Sequence, residues 1–486
     1  MKIISGNNIK RLKSYIKRNG LKASAIKVLE RLEQNNGEKT REKDVFDHIC
    51  DKEEEEYERQ KQFTHRYKFS IVVPAYETGE RRIREMIRSV MDQTYTNWEL
   101  CIADASETDE VEKAVSQLSE ALKSSEDGNS GTVKYVRISE NRGISSNTNE
   151  ALKLAEGEYI AFMDHDDVLT KNALFEAMCV LENGLVSEGG YISNTVKMIY
   201  SDEDKCNDEL TEFFDSHRKP DFDIDLLRSN NYICHLLIVR RELLEETGGF
   251  NSEYDGAQDH DFILRCVEKL KKNEIVHIDK ILYHWRSHEK STATNPESKL
   301  YAYDAGKRAV ADHLKRLGIE AEVTDTQHLG FYRVRYKVTA EELTKIQIMS
   351  LEELKAMSKE DLKAADFEYI MVQNDNVKPV NYEYLEELLG ILKREEVGCA
   401  GSLVIRKGKI ESAGYSFGDN GELVPEFAGL NKNFSGYLHR AKLTREVDAV
   451  CTDCMMIKKE DVSEEGTFSS KGLVVYCPYS IFKRIR

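Results

Sequence analysis

The chain has 486 residues, a net charge of −17 and 40% hydrophobic residues. That length predicts two or three domains with proper cores, and the acidic balance disfavours a general nucleic-acid binder, which needs a basic face. Ten cysteines without a framework pattern, no apolar run that could span a bilayer and no export leader together predict reduced thiols in a cytoplasmic protein.

The charge is uneven. Residues 1–29 contain no Asp or Glu but carry Lys10, Arg11, Lys13, Lys17, Arg18, Lys22 and Lys27, with Ile9, Leu12 and Ile16 at helical spacing. This reads as a basic amphipathic helix, suited either to peripheral contact with an anionic membrane or to packing on the protein. The sign flips at Glu53, Glu54, Glu55 and Glu56, a solvated helix or linker. From Lys68 the pattern changes. Phe69 to Val73 is a buried strand stopped by Pro74, and Ile83, Met86, Ile87, Val90 and Met91 follow at helical period. Glu99–Ala103 is a second strand ending at Asp104, Val133–Ile138 a third, Asn147–Ala155 a helix and Tyr159–Met163 a fourth strand. Alternation at this spacing makes βαβ units and a parallel sheet between helices, with the strand ends on one rim.

The fourth strand stops in Asp164-His165-Asp166-Asp167. Three acids within four residues repel one another unless a cation holds them. An oxygen-rich, sulfur-free cluster suits Mg²⁺ or Mn²⁺; an acidic turn capping the next helix explains the same residues equally well.

Taken in order, five motifs resemble a family-2 glycosyltransferase of GT-A fold. They are Phe69–Tyr76, the strand ending in Asp104, the run Glu140–Ser145 with Asn149, the Asp164–Asp167 cluster, and Gln258–Asp261 with Tyr283–His288. Tyr200–Lys205 and Asn230-Asn231-Tyr232 narrow the resemblance to bacterial enzymes that build surface polysaccharides. It runs from about Lys68 to about Arg335, and implies a fold of mainly parallel sheet between helices. The expected division is a helical segment over 1–66, a transferase domain over 67–338 and a partial second α/β domain over 339–486.

The resemblance implies an inverting transfer from a UDP- or dTDP-sugar to a polysaccharide or lipid-linked glycan acceptor. Pro74, Ala75, Tyr76 and Glu77 would form the first donor loop, with the Tyr76 ring free to stack on the base. Asp104 would accept the pyrimidine N3–H; the next residue is Ala105, where the family commonly has a second acid. Arg142 would face a phosphate, beside Asn149 and Asp164. Mn²⁺ or Mg²⁺ would be held by Asp164, Asp166 and Asp167, completed by His288 with His284 as its rival. Asp259 would be the general base; the competing reading for Asp259 and Asp261 is the preference of acids for a helix start.

The distal third resembles the later half of a second transferase domain. Phe367–Val372 is a strand ending in Gln373-Asn374-Asp375-Asn376, one acid where the first domain has three. No nucleotide-binding half precedes it, so a non-catalytic remnant is expected. Cys451-Thr452-Asp453-Cys454 has CxxC spacing without a second pair nearby, which favours buried free thiols over zinc. A non-catalytic binding or scaffold protein is the competing reading for the whole chain.

Overall fold

The computed structural model describes residues 16–17, 19–30, 53–123, 131–188, 191–287, 300–462 and 472–485. They fall into two compact units. The first takes in 53–222 and 231–318, the second 16–30, 223–230 and 319–485. The hairpin of Ala321–Asp325 and Tyr332–Tyr336, expected in the first domain, groups with the second.

In the first unit, α1 (Glu53–Gln60) precedes β1 (Phe69–Ala75), α2 (Glu80–Met91), β2 (Trp98–Asp104), α3 (Glu110–Lys123) and β3 (Thr132–Arg137). Then come α4 (Ile144–Leu152), β4 (Tyr159–Phe162), β5 (Val168–Leu169), α5 (Ala173–Asn183) and β6 (Met198–Asn207). The unit is completed by β7 (Leu237–Arg240), α6 (Gln258–Val267), β8 (Ile275–Ser287) and α7 (Leu300–Arg316). The main path of the sheet is β3-β2-β1-β4-β7-β6-β8-β5. Its first four strands are parallel, and β7 then runs antiparallel to β4.

Burial explains this order. Every residue of β1 and β2 is buried, as expected for strands covered on both faces. The α2 residues Ile83, Met86, Ile87 and Val90 are all fully buried, a single stripe laid on the sheet. Parallel strands point their carboxyl ends the same way, so Asp104 and the Asp164–Asp167 turn reach one rim.

The second unit is built around β9 (Ile346–Met349), β10 (Tyr369–Gln373), β11 (Val377–Pro379), α8 (Tyr384–Leu392), β12 (Val397–Arg406), β13 (Cys454–Lys458) and β14 (Leu473–Arg484). The path is β9-β10-β13-β12-β14-β11. Strand for strand, with the same parallel and antiparallel senses, this repeats β1-β4-β7-β6-β8-β5 of the first unit. Among the described residues β2 and β3 have no counterparts on this path. Between β9 and β10 stand only two short helices, Leu351–Ala356 and Lys359–Ala364, each opened by a serine capping box.

Candidate functional site

Strand β8 braces the acid turn after β4. The Tyr283 hydroxyl accepts from the Asp164 backbone N–H (3.1 Å) and donates to Asp167 Oδ2 (2.5 Å). The Arg286 backbone N–H donates to Asp167 Oδ1 (2.7 Å), and its Nε to the Asp166 carbonyl (2.6 Å). Asp167 is therefore buried with both oxygens engaged, while Asp164 and Asp166 stay partly exposed. Burial, then the charges of Asp166 and Asp164, raise the Asp167 pKa well above the usual carboxylate range.

The imidazole that joins this cluster is His235. Its ring stacks on Tyr283 at 4.5 Å and 8°, and Nε2 lies 3.7 Å from Asp164 Oδ2. Ligand atoms of Asp164, Asp167 and His235 lie within 4.8 Å of one another. Two carboxylates and one imidazole fit a divalent cation of the Mn²⁺ type, and the acids alone fit Mg²⁺. His284, the rival expected from sequence, turns away: its Nδ1 pairs with Asp204 Oδ1 at 2.6 Å, and burial lowers its pKa to about 3. His288 lies outside the described residues.

The donor loops are stitched to each other. Asp104 is fully buried, with Oδ1 accepting from the Ser106 N–H (2.9 Å) and Oδ2 from the Tyr135 hydroxyl (2.8 Å). Ser106 Oγ in turn accepts from the Glu77 N–H (2.8 Å), and Glu77 Oε1 from the Glu107 N–H (2.7 Å). Glu77 holds a φ of 47°, a left-handed conformation that turns the chain sharply out of β1. Pro74 and Ala75 are buried inside β1, whereas Tyr76 is 44% exposed and offers its ring.

Two further donor-side residues expected from the sequence, Asn149 and Arg142, have partners within the protein. Asn149 clasps the backbone of Phe250, donating to its carbonyl (2.8 Å) and accepting from its N–H (2.9 Å). Its role is to fix the loop before α6 rather than to offer a free amide. Arg142 is exposed, 3.6 Å from Glu150. Its neighbour Gly143 has a φ of 95°, and a Cβ there would meet Asp255 Oδ2 at 2.3 Å, so only glycine fits.

On the acceptor side the two acids opening α6 separate. Asp261 is buried and paired with Arg265 (2.9 Å), a structural ion pair. Asp259 is partly exposed, and Oδ2 accepts from Asn231 Nδ2 (2.8 Å) and from the Cys234 thiol (3.5 Å). Burial first, then Asp259, Glu203 and Asp164, raise the Cys234 pKa well above that of an ordinary thiol, so it stays a neutral donor. One short loop, Asn231–His235, thus touches both the acid cluster and Asp259. Neither His235 nor Cys234 stood out in the sequence, because neither belongs to a motif with a spacing rule.

The second unit holds the same position differently. Matching the registers of β10 and β4, Asn374 and Asn376 stand where Asp164 and Asp166 do, and Asp453 stands where His235 does. Asn374 donates to Asp453 Oδ1 (2.7 Å), Asn376 to Oδ2 (3.2 Å), and the Arg484 guanidinium pairs with the same carboxylate and with Glu411. A tethered cation and two amides have replaced the acids. Cys451 and Cys454 lie beside this group, both buried free thiols with no second cysteine pair for zinc among the described residues.

A mixed sheet with a braced acid turn at its rim defines an α/β transferase of GT-A type. Residues 70–248 match the family model described as Glycosyl transferase family 2. The match stops short of Asp259 and β8. The chain is 30% identical over 467 residues to an uncharacterized protein, y4gI, of Sinorhizobium fredii, covering 84% of this chain and 49% of that protein. It is 30% identical over 328 residues to the O-antigen biosynthesis protein RfbC of Myxococcus xanthus, covering 65% of this chain and 24% of that one. The chain thus spans half the length or less of these relatives. Among solved structures, S. aureus TarS 1–349 aligns at a TM-score of 0.38 and 22% identity, over 51% of this chain and 65% of that one.

Proposed function

We propose that the first unit transfers a sugar, with inversion, from a UDP- or dTDP-sugar to a polysaccharide or lipid-linked glycan acceptor. The observation that carries this is the loop Asn231–His235, which puts a polarised, partly exposed carboxylate, Asp259, next to a strand-end acid cluster. A donor breaks on the side of the acids while an acceptor hydroxyl loses its proton on the other side, so an inverting displacement needs both groups.

In this reading Asp164 and Asp166 hold Mn²⁺ or Mg²⁺, with His235 as the nearby imidazole and Asp167 as the buried brace. The metal supplies charge neutralisation for the diphosphate leaving group. The residues of the chain do the rest. Tyr76 stacks on the nucleobase, Asp104 sets the base-binding loop through Ser106 and Tyr135, and Asp259 Oδ1 or Oδ2 takes the hydroxyl proton. The second unit, with Arg484 where a metal would sit, does not turn over.

Contact with a lipid-linked acceptor also needs a way to the membrane, and among the described residues no helix is long and apolar enough to cross one. The helical residues 19–30 expose Leu21 (75%), Val28 (42%) and Leu29 (57%), and the sequence up to residue 29 is wholly basic in its charges. That combination supports peripheral attachment to an anionic surface.

The test is a thermal-shift panel of UDP- and dTDP-sugars, each with Mn²⁺ and with excess chelator. Saturation at about 100 times Kd adds roughly 2.7 kcal/mol of stability, so one donor should raise the melting temperature only with metal. No shift with any sugar nucleotide sinks the proposal.

A further inference from the structure

The loop Asn231–His235 carries three side chains toward the chemistry, and its own support comes from a lysine. Lys219 is a buried ammonium, its side chain fully covered. Nζ donates to the Ile233 carbonyl at 2.6 Å and also to the His235 carbonyl. It pairs with Glu203 Oε2 at 3.4 Å, and that same oxygen accepts from the His235 backbone N–H at 3.3 Å. The other Glu203 oxygen faces His217 Nδ1 at 3.3 Å. Lys219 is itself fixed by its backbone N–H, which donates to Asp202 Oδ1 at 2.8 Å. Asp202 is in turn held by His277 (2.8 Å) and Arg218 (3.1 Å). A buried charge is costly unless it is paired and hydrogen-bonded, and here Glu203 and the two loop carbonyls meet that need.

We propose that Lys219, with Glu203 as its counter-charge, is a positioning residue that sets both halves of the transfer at once. By holding the carbonyls on either side of Cys234, it fixes the loop at the point where Asn231 and Cys234 orient Asp259 and His235 faces Asp164. Tyr232 and Ile233 are buried and anchor the start of the loop, but Cys234 between the two held carbonyls has a φ of 36°, outside the regular regions, and its N–H meets the Asn231 side chain at 3.3 Å. Releasing the two carbonyls lets Asp259 and His235 drift together, and displacements on the scale of 1 Å cost about a hundredfold in rate. This assignment deepens the proposed function and rests on Asp259 being the base.

The experiment uses the full chain and Lys219→Met, which keeps the stem and removes the ammonium. Iodoacetamide labelling, read by peptide mass spectrometry, follows Cys234 beside the buried Cys206 and Cys266 of the same unit. The expected result is Cys234 alkylated about tenfold faster or more, as local opening predicts, with Cys206 and Cys266 still protected and sugar transfer down by about a hundredfold. Glu203→Gln, which leaves the ammonium without its counter-charge, shifts Cys234 the same way by less, and decides the matter if Lys219→Met does not fold. An unchanged Cys234 rate overturns the proposal. So does a common rise at all three cysteines, which marks a core residue only, or a selective rise with full transfer. If the wild-type chain transfers no sugar, the function falls, while the labelling still decides whether the lysine holds the loop.

Discussion

The amide of Asn231 donates to the carboxylate of Asp259 across 2.8 Å, and leaves that acid polarised at the mouth of α6. Asp259→Asn keeps the shape and one acceptor oxygen but cannot take a proton. Donor affinity by calorimetry should stay within about twofold while turnover falls roughly 10²–10⁴-fold. A parallel loss of both makes Asp259 a helix-start residue like Asp261.

The acid turn gives a second expectation. Asp166 makes its contact with Arg286 through its carbonyl, so removing its carboxylate spares that brace. Asp166→Ala should cost about a thousandfold in turnover, the several kcal/mol that neutralising a diphosphate is worth, with the melting temperature of the metal-free protein nearly unchanged. Full wild-type activity in excess chelator contradicts it.

Acid pH should loosen the loop support. Burial alone would raise the Glu203 pKa, but Lys219, His217 and His235 outweigh it and bring it to about 2, below the usual 4.5. A depressed carboxylate contributes stability that is present above its unfolded pKa and lost as pH falls toward the folded value. The gap in melting temperature between wild type and Glu203→Gln should therefore hold from pH 7 down to about 4.5 and close between about pH 4.5 and about pH 2, the wild type being the more stable wherever a gap remains. A gap independent of pH assigns the stabilisation to shape instead.

In the second unit, Asp375→Ala should leave transfer unchanged, because that acid is outside the amide-and-arginine group. Titration of the full chain with a bound sugar nucleotide should give one site per chain. A second site means that the β9–β14 sheet binds nucleotide after all.

Much of this was legible in the residues. β1, β2 and β4 are near-continuous apolar runs, and an acid after such a run can only lie at the rim. The α2 stripe follows from its period. The resemblance named Asp259 as the base, but a helix-start preference suits Asp259 and Asp261 alike, and only the fold pairs Asp261 with Arg265 and Asp259 with Asn231 and Cys234. The histidines were ambiguous for a similar reason: His284 sits inside a recognisable motif yet faces Asp204, while His235 sits outside any motif and stacks on Tyr283. Lys219 was invisible because its partners are main-chain carbonyls, which every residue has and no sequence pattern marks.

The main paths of the two sheets share six strands in the same order, and the first path extends further through β2 and β3. The shared part recurs without β2 and β3 among the described residues of the second unit, where two other short strands, Lys409–Ser412 and Arg445–Glu446, join the sheet. β2 and β3 are then free to be shaped by what they bind rather than by what they must hold up, which is a natural division between a scaffold and its specificity. Arg484 carries the comparison one step further. A guanidinium built into the strand cannot be lost to dilution or captured by another ligand, so the second copy carries a permanent positive charge at the rim position where the proposed function gives the first copy an exchangeable one.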